Sequence, residues 1–133
     1  MASRPSLPVV STVPSHQPPD MKKFLVLYKA PIEAFQQMMK SSTPAQEKAG
    51  MEAWTTWSKK AASSIVDMGG PLGKSLRVAK GGAVSPVVND LGGYSVMQAE
   101  SKEALAAAMS EHPHFMMRDG SIEIIELMPI PGM

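Results

Sequence analysis

The chain has 133 residues, with 13 lysines and arginines against 12 aspartates and glutamates and a formal net charge of +1. That length fits one domain built on one core, and the absence of cysteine excludes thiolate metal sites, cysteine nucleophiles and a disulfide scaffold. The lysine pairs Lys22-Lys23 and Lys59-Lys60 are too short to form a polyanion stripe, so no nucleic-acid partner is expected. No apolar run reaches the length of a membrane helix and the first residues lack a signal-peptide pattern, so the expectation is a cytoplasmic protein with no membrane partner.

Residues 1–20 hold five of the twelve prolines among Ser, Thr and Val, which predicts an extended Pro-rich arm. Met21-Lys22-Lys23 then reads like a natural start followed by a strand, so the arm is expected to be an upstream extension or a tag, and the domain is placed at 21–133. Phe24-Leu25-Val26-Leu27-Tyr28 is a five-residue apolar run stopped by Pro31, the pattern of a strand with both faces apolar. Ile32, Phe35, Met38 and Met39 recur at helical spacing over one or two turns. Thr43-Pro44-Ala45-Gln46 places a hydroxyl at an N-cap, proline at the first helical position and glutamine three residues after the cap. A long helix is predicted from there, continued by Met51, Trp54, Trp57, Ala61 and Ile65 at spacings of three or four. It gives way to a strand at about Ser64–Met68, which Gly69-Gly70-Pro71 is expected to end.

Leu76-Arg77-Val78 and Val84–Val88, joined through Lys80-Gly81-Gly82, predict a weak hairpin in which Pro86 is tolerated near an edge. Tyr94–Ala99 is the next strand. Ser101 caps a second helix with Leu105, Ala108 and Met109 on its apolar side, and His112-Pro113 ends it. Arg118-Asp119-Gly120 makes a turn, Ser121–Leu127 is the last strand, and Pro129–Met133 is an irregular tail. Two strand–helix–strand units in series predict an α+β, ferredoxin-like βαββαβ protomer with an extra hairpin, its antiparallel sheet covered by helices on one face. In the first strand Phe24, Val26 and Tyr28 oppose Leu25 and Leu27; in the last, Ile122 and Ile124 oppose Ile125 and Leu127. Two helices cover one of these faces, so a homodimer through the other is expected.

Of the three histidines, His16 lies in the arm. His112 and His114 flank Pro113 and are the candidate catalytic acid and base, with Asp67, Asp119 and Glu123 as carboxylates able to orient them; a solvated helix C-terminus is the plainer alternative. Glu123 and Glu126 point to opposite faces of the last strand, which makes Glu123 a further catalytic candidate. Tyr28, Trp54, Trp57, Tyr94 and Asp67 are the candidate ligand-binding residues: the tryptophans offer flat surfaces and the tyrosines offer hydroxyls at a cavity wall. Methionines near the histidines suggest soft-metal ligation, but twelve are spread through the chain and read as core filler, so no metal is expected. Gly69–Ser75 echoes a phosphate loop without its spacing or its helix and is set aside.

Met21–Tyr28, Asp67–Gly73, Leu91-Gly92-Gly93-Tyr94, His112-Pro113-His114 and Gly120-Ser121-Ile122-Glu123 occur in the order and spacing of YCII-related (DGPF-containing) proteins, which residues 21–133 resemble. The resemblance implies a dimeric α/β barrel of ferredoxin-like protomers and, from a few relatives, small-molecule degradation such as dehydrochlorination. The Asp-Gly-Pro-Phe signature is absent, its region reading Ala83–Asp90. The His–Asp pair of the family's first long helix has no counterpart either, since that helix reads Glu52-Ala53-Trp54-Thr55-Thr56-Trp57. The expected function is binding of a small apolar or aromatic metabolite, with cofactor-free proton transfer, elimination or isomerisation as the chemistry. The alternative is a non-catalytic ligand-sensing or interaction module.

Overall fold

The computed structural model describes residues 21–132; the expected arm, His16 and Met133 lie outside them. Strand β1 (Lys22–Lys29) leads to helices α1 (Ile32–Ser41) and α2 (Pro44–Lys60), a 3-10 turn (Ala62–Ser64) and strand β2 (Ile65–Pro71). A hairpin of β3 (Ser75–Val78) and β4 (Val84–Val87) precedes strand β5 (Leu91–Ala99), helix α3 (Lys102–Ala108), a second 3-10 turn (Pro113–Met116) and strand β6 (Ser121–Glu126). The main sheet has the order β2-β5-β1-β6 with every pairing antiparallel. This is the ferredoxin-like arrangement, open at both edges, and β3-β4 form a separate two-stranded sheet.

Local chemistry explains most element ends. At α2 the Thr43 side chain accepts from Gln46 N at 3.1 Å and the Gln46 side chain accepts from Thr43 N at 2.9 Å, so two otherwise unpaired donors are satisfied. At α3, Ser101 accepts from Ala104 N at 3.0 Å. Three boundaries differ from the sequence reading. β2 runs through Gly69 and Gly70 instead of stopping before them, because the strand bulges: Gly69 adopts a φ of +67° and donates its N–H to Asp67 Oδ1 at 2.9 Å. A side chain at Gly69 would collide with the Tyr94 carbonyl of the neighbouring strand. β5 correspondingly begins at Leu91, its Gly93 paired with Tyr28 and Pro71. Helix α3 ends at Ala108 and not at His112, leaving His112 free to start the second 3-10 turn.

The pleat divides the sheet's residues as the alternation predicts. Phe24, Val26 and Tyr28 on β1 share a face with Met97 on β5, and Trp54, Trp57, Leu105 and Met109 from the helices pack against it, with Ile122 and Ile124 beside them. Removing side chains such as Phe24, Met97 and Leu105 from water stabilises the fold by roughly 1.5–3 kcal/mol each. On the other face, Ile125 and Leu127 are each 44% exposed and Leu25, Leu27 and Val96 are half-buried. Among the described residues nothing covers that face. No helix among them is long and apolar enough to cross a membrane.

Candidate functional site

The side chain of Tyr28 points from β1 to the helix side, where it meets two imidazoles and an indole. Its ring stacks on His112 with centroids 4.9 Å apart and planes 30° from parallel, and lies 5.2 Å from Trp54 and 5.5 Å from His114. Trp57 reaches the other flank of His112 at 4.2 Å. These contacts exist because α2 places Trp54 and Trp57 three residues apart on its inward side and the 3-10 turn folds His112 and His114 back beneath them. The Tyr28 hydroxyl shares a 2.8 Å hydrogen bond with Ser95 Oγ. Burial raises the phenol's pKa above its ordinary value, a shift that the Ser95 bond opposes, so Tyr28 stays protonated at neutral pH.

The two histidines are buried, at 2% exposure for His112 and 6% for His114; the solvated helix end is therefore corrected. His112 is the N-cap of the turn and Pro113 its first residue. Its Nδ1 accepts the His114 backbone N–H at 2.9 Å, so the neutral ring carries its hydrogen on Nε2. Burial, helped by the neighbouring His114 imidazole, lowers the His112 pKa to about 4, and the ring is neutral at pH 7. Nε2 is out of contact with solvent and has no hydrogen-bond partner. His114 is held differently: its Nε2 lies 2.7 Å from the Lys29 carbonyl oxygen. A carbonyl only accepts, so the hydrogen is on Nε2 and the lone pair of the neutral ring is at Nδ1. Gly120 permits this placement, since a Cβ there would lie 2.9 Å from the His114 carbonyl oxygen and 3.2 Å from Nε2.

The candidate residues fall into three places. Tyr28, Trp54, Tyr94 and His114 line an open cleft of about 1590 Å³ between the sheet, α1 and α2, whose remaining wall includes Phe35, Met38 and Arg118. Tyr94 joins it from the opposite pleat to Tyr28, since its register partners are Leu27 and Gly70. Trp57 and His112 instead line a groove of about 1060 Å³ on the far side of α2. Asp67 and Glu123 lie on neither. Asp67 is exposed and holds the β2 bulge.

The Glu123 carboxylate is 2.7 Å from Lys29 Nζ, an ion pair that raises the lysine's pKa. Asp119 lies 3.8 Å from Arg118. No hydrogen bond joins a carboxylate to either imidazole among the described residues, so the expected carboxylate orienters are corrected: a backbone amide orients His112 and a backbone carbonyl orients His114. Main-chain partners leave no residue-type signal, although Pro113 at the start of a turn marks the preceding residue as a cap. Sequence reading also missed Gly120 and Ser95, the latter traceable through its place on the same pleat as Tyr28's partner Gly93. No cluster of three His, Asp or Glu that could hold a metal forms among the described residues.

No family model matches the chain, and no curated protein matches it. Among solved structures it is similar to 5-chloro-2-hydroxyhydroquinone dehydrochlorinase (TftG) from Burkholderia phenoliruptrix AC1100, in complex with 2,5-dihydroxybenzoquinone, at 17% sequence identity and a TM-score of 0.42. That likeness covers 76% of this chain and 90% of the other. It is too slight to carry a residue's role from one protein to the other.

Proposed function

We propose that this chain is a YCII-related protein that binds a small, flat, largely apolar metabolite in the cleft between α1, α2 and the sheet, as a homodimer joined through the open sheet face. In this reading His114 moves a proton on the ligand without a cofactor. One arrangement supports it: the Lys29 carbonyl fixes the hydrogen of His114 on Nε2, so the lone pair is at Nδ1 of a residue that lines a cleft walled by Phe35, Met38 and Trp54. A base of this kind takes a proton from a carbon acidified by an adjacent carbonyl, and the electron pair is delocalised onto the carbonyl oxygen. Return of the proton at another carbon is isomerisation; departure of a leaving group with the electron pair is elimination. The Lys29 carbonyl stabilises the imidazolium that forms.

A second reading, a non-catalytic ligand-sensing module, draws on the lack of a carboxylate on either imidazole. Incubation with 2-tetralone, a flat apolar ketone with an acidic C–H, separates the two. Proton NMR in deuterated buffer is expected to show deuterium entering next to the carbonyl faster than in buffer alone, with the rate falling at least tenfold in His114→Gln. Binding without exchange, seen as a change in Trp54 fluorescence, selects the sensing module. Neither exchange nor a Trp54 response would remove the cleft as a site for flat apolar ligands.

A further inference from the structure

Methionines that are scattered along the sequence are gathered by the fold. Of the ten among the described residues, only Met97 and Met109 are buried in the core, so the expectation of methionine as core filler holds for those two alone. Six others line the cleft: Met38 and Met39 from α1, Met51 from α2, Met68 from β2, and Met116 and Met117 at the second 3-10 turn. Met39, Met51 and Met116 are 81%, 69% and 70% exposed, and their apolar side chains stand largely in water.

A thioether side chain is unbranched and turns about three bonds, so a wall of methionines moulds itself to a flexible chain, whereas the rings of Tyr28, Trp54 and Phe35 suit a rigid flat group. The cleft has room for both, at about 1590 Å³ against the roughly 300–1,000 Å³ of most small-molecule sites. Charge supplies a third feature. Lys74 and Arg118 stand on the lining against Glu47, a balance that favours an anion. Lys74 forms no ion pair among the described residues. Arg118 has only Asp119, at 3.8 Å with both side chains more than half exposed, a pair of little strength in water. Both cations are therefore open to a ligand, and a guanidinium can hold a carboxylate through two parallel hydrogen bonds.

We infer that the ligand of the cleft is an amphiphilic carboxylate, with a flat ring for the aromatic wall, an alkyl chain for the methionines and a negative group held by Arg118 in a positive field to which Lys74 adds. The inference rests on the reading of the cleft as a ligand site and names the class of compound that it takes. It does not depend on proton transfer by His114.

The 4-alkylbenzoates are the probe, titrated into the full chain at neutral pH by isothermal titration calorimetry. Burying each added methylene is worth about fourfold in Kd, so 4-butylbenzoate is expected to bind roughly tenfold or more tightly than 4-methylbenzoate. The uncharged 4-butylbenzamide is expected to bind about fivefold more weakly than 4-butylbenzoate, and Arg118→Gln to remove most of that difference. Met39→Gln combined with Met51→Gln, both at exposed helix positions, is expected to erase the gain from the chain and leave the affinity for 4-methylbenzoate unchanged. An affinity indifferent to chain length overturns the inference, and so does a chain gain that survives the methionine changes. An amide that binds as tightly as the acid overturns it too, as does a preference for the acid that Arg118→Gln leaves intact. Absence of binding by every alkylbenzoate is a further overturning result: a Trp54 response to 2-tetralone then keeps the cleft as a site for neutral ligands, and silence there as well removes the cleft reading itself.

Discussion

His112 carries a pH dependence whose sign follows from its surroundings. Its pKa is lowered to about 4 in the folded chain from the ordinary histidine range near 6.5, so between those values the unfolded chain binds a proton that the folded chain does not. Its contribution is fully present above about pH 6.5 and is lost as pH falls toward 4. The loss amounts to about 2 kcal/mol by pH 5 and on the order of 3 kcal/mol in full. Urea denaturation at pH 7 and pH 5 should show this decline, and His112→Gln, which cannot titrate, should flatten it. Gly69 is a second position where one residue decides the structure. Its positive φ and the collision of any side chain with the Tyr94 carbonyl predict that Gly69→Ala costs about 2 kcal/mol or more. Gly73→Ala, with nothing within 4 Å of the added carbon, should stay within about 0.5 kcal/mol of wild type by the same measurement.

At the scale of elements, α2 forms the partition between cleft and groove, and its start depends on the reciprocal bonds of Thr43 and Gln46. Thr43→Ala should lower stability by about 1 kcal/mol, measured by thermal unfolding followed by circular dichroism. Helix α1 is seated through a different device. Phe35 lies over Gly92, where any side chain would strike its ring, so the strand position must be glycine for the helix to close the cleft. Gly92→Ala should destabilise by about 1–2 kcal/mol, because the added methyl forces the ring to shift. Combining it with Phe35→Ala should be less destabilising than the sum of the single changes, a coupling that a double-mutant cycle reads directly. The bulge in β2 and the early start of β5 belong to the same scale: a row of glycines lets two strands and a helix approach more closely than side chains would permit.

For the whole molecule, the uncovered sheet face is the feature with the largest consequence. One side of the sheet packs against α2 and α3, while Ile125 and Leu127 on the other are 44% exposed beside the half-buried Leu25, Leu27 and Val96. Burying such a surface contributes roughly 25 cal/mol per Å² before the cost of association is subtracted. The proposed homodimer through this face predicts a sedimentation coefficient of two chains at micromolar concentration, reduced to that of one chain by Ile125→Glu, with circular dichroism unchanged. Sedimentation of the wild-type protein as single chains would reject it.

The order of elements, the ferredoxin-like topology and the division of β1 and β6 into two apolar faces were all determined by the sequence alone, because local periodicity and capping chemistry act over a few residues and are written in side-chain types. The pairing of His114 with the Lys29 carbonyl, the capping of the turn by His112 and the packing of both Trp54 and Trp57 against the His112 ring were decided only by the tertiary structure. Backbone carbonyls and amides are the same at every residue, so no pattern of side chains announces which of them an imidazole will meet. Glu123 shows the converse: alternation along β6 placed it on a definite face, but whether that carboxylate met a histidine or a lysine depended on the register of β6 against β1, where Leu27 opposite Glu123 brings Lys29 within reach. A one-residue slip would have turned Glu123 to the other face, and register is set by long-range packing that a local reading does not contain.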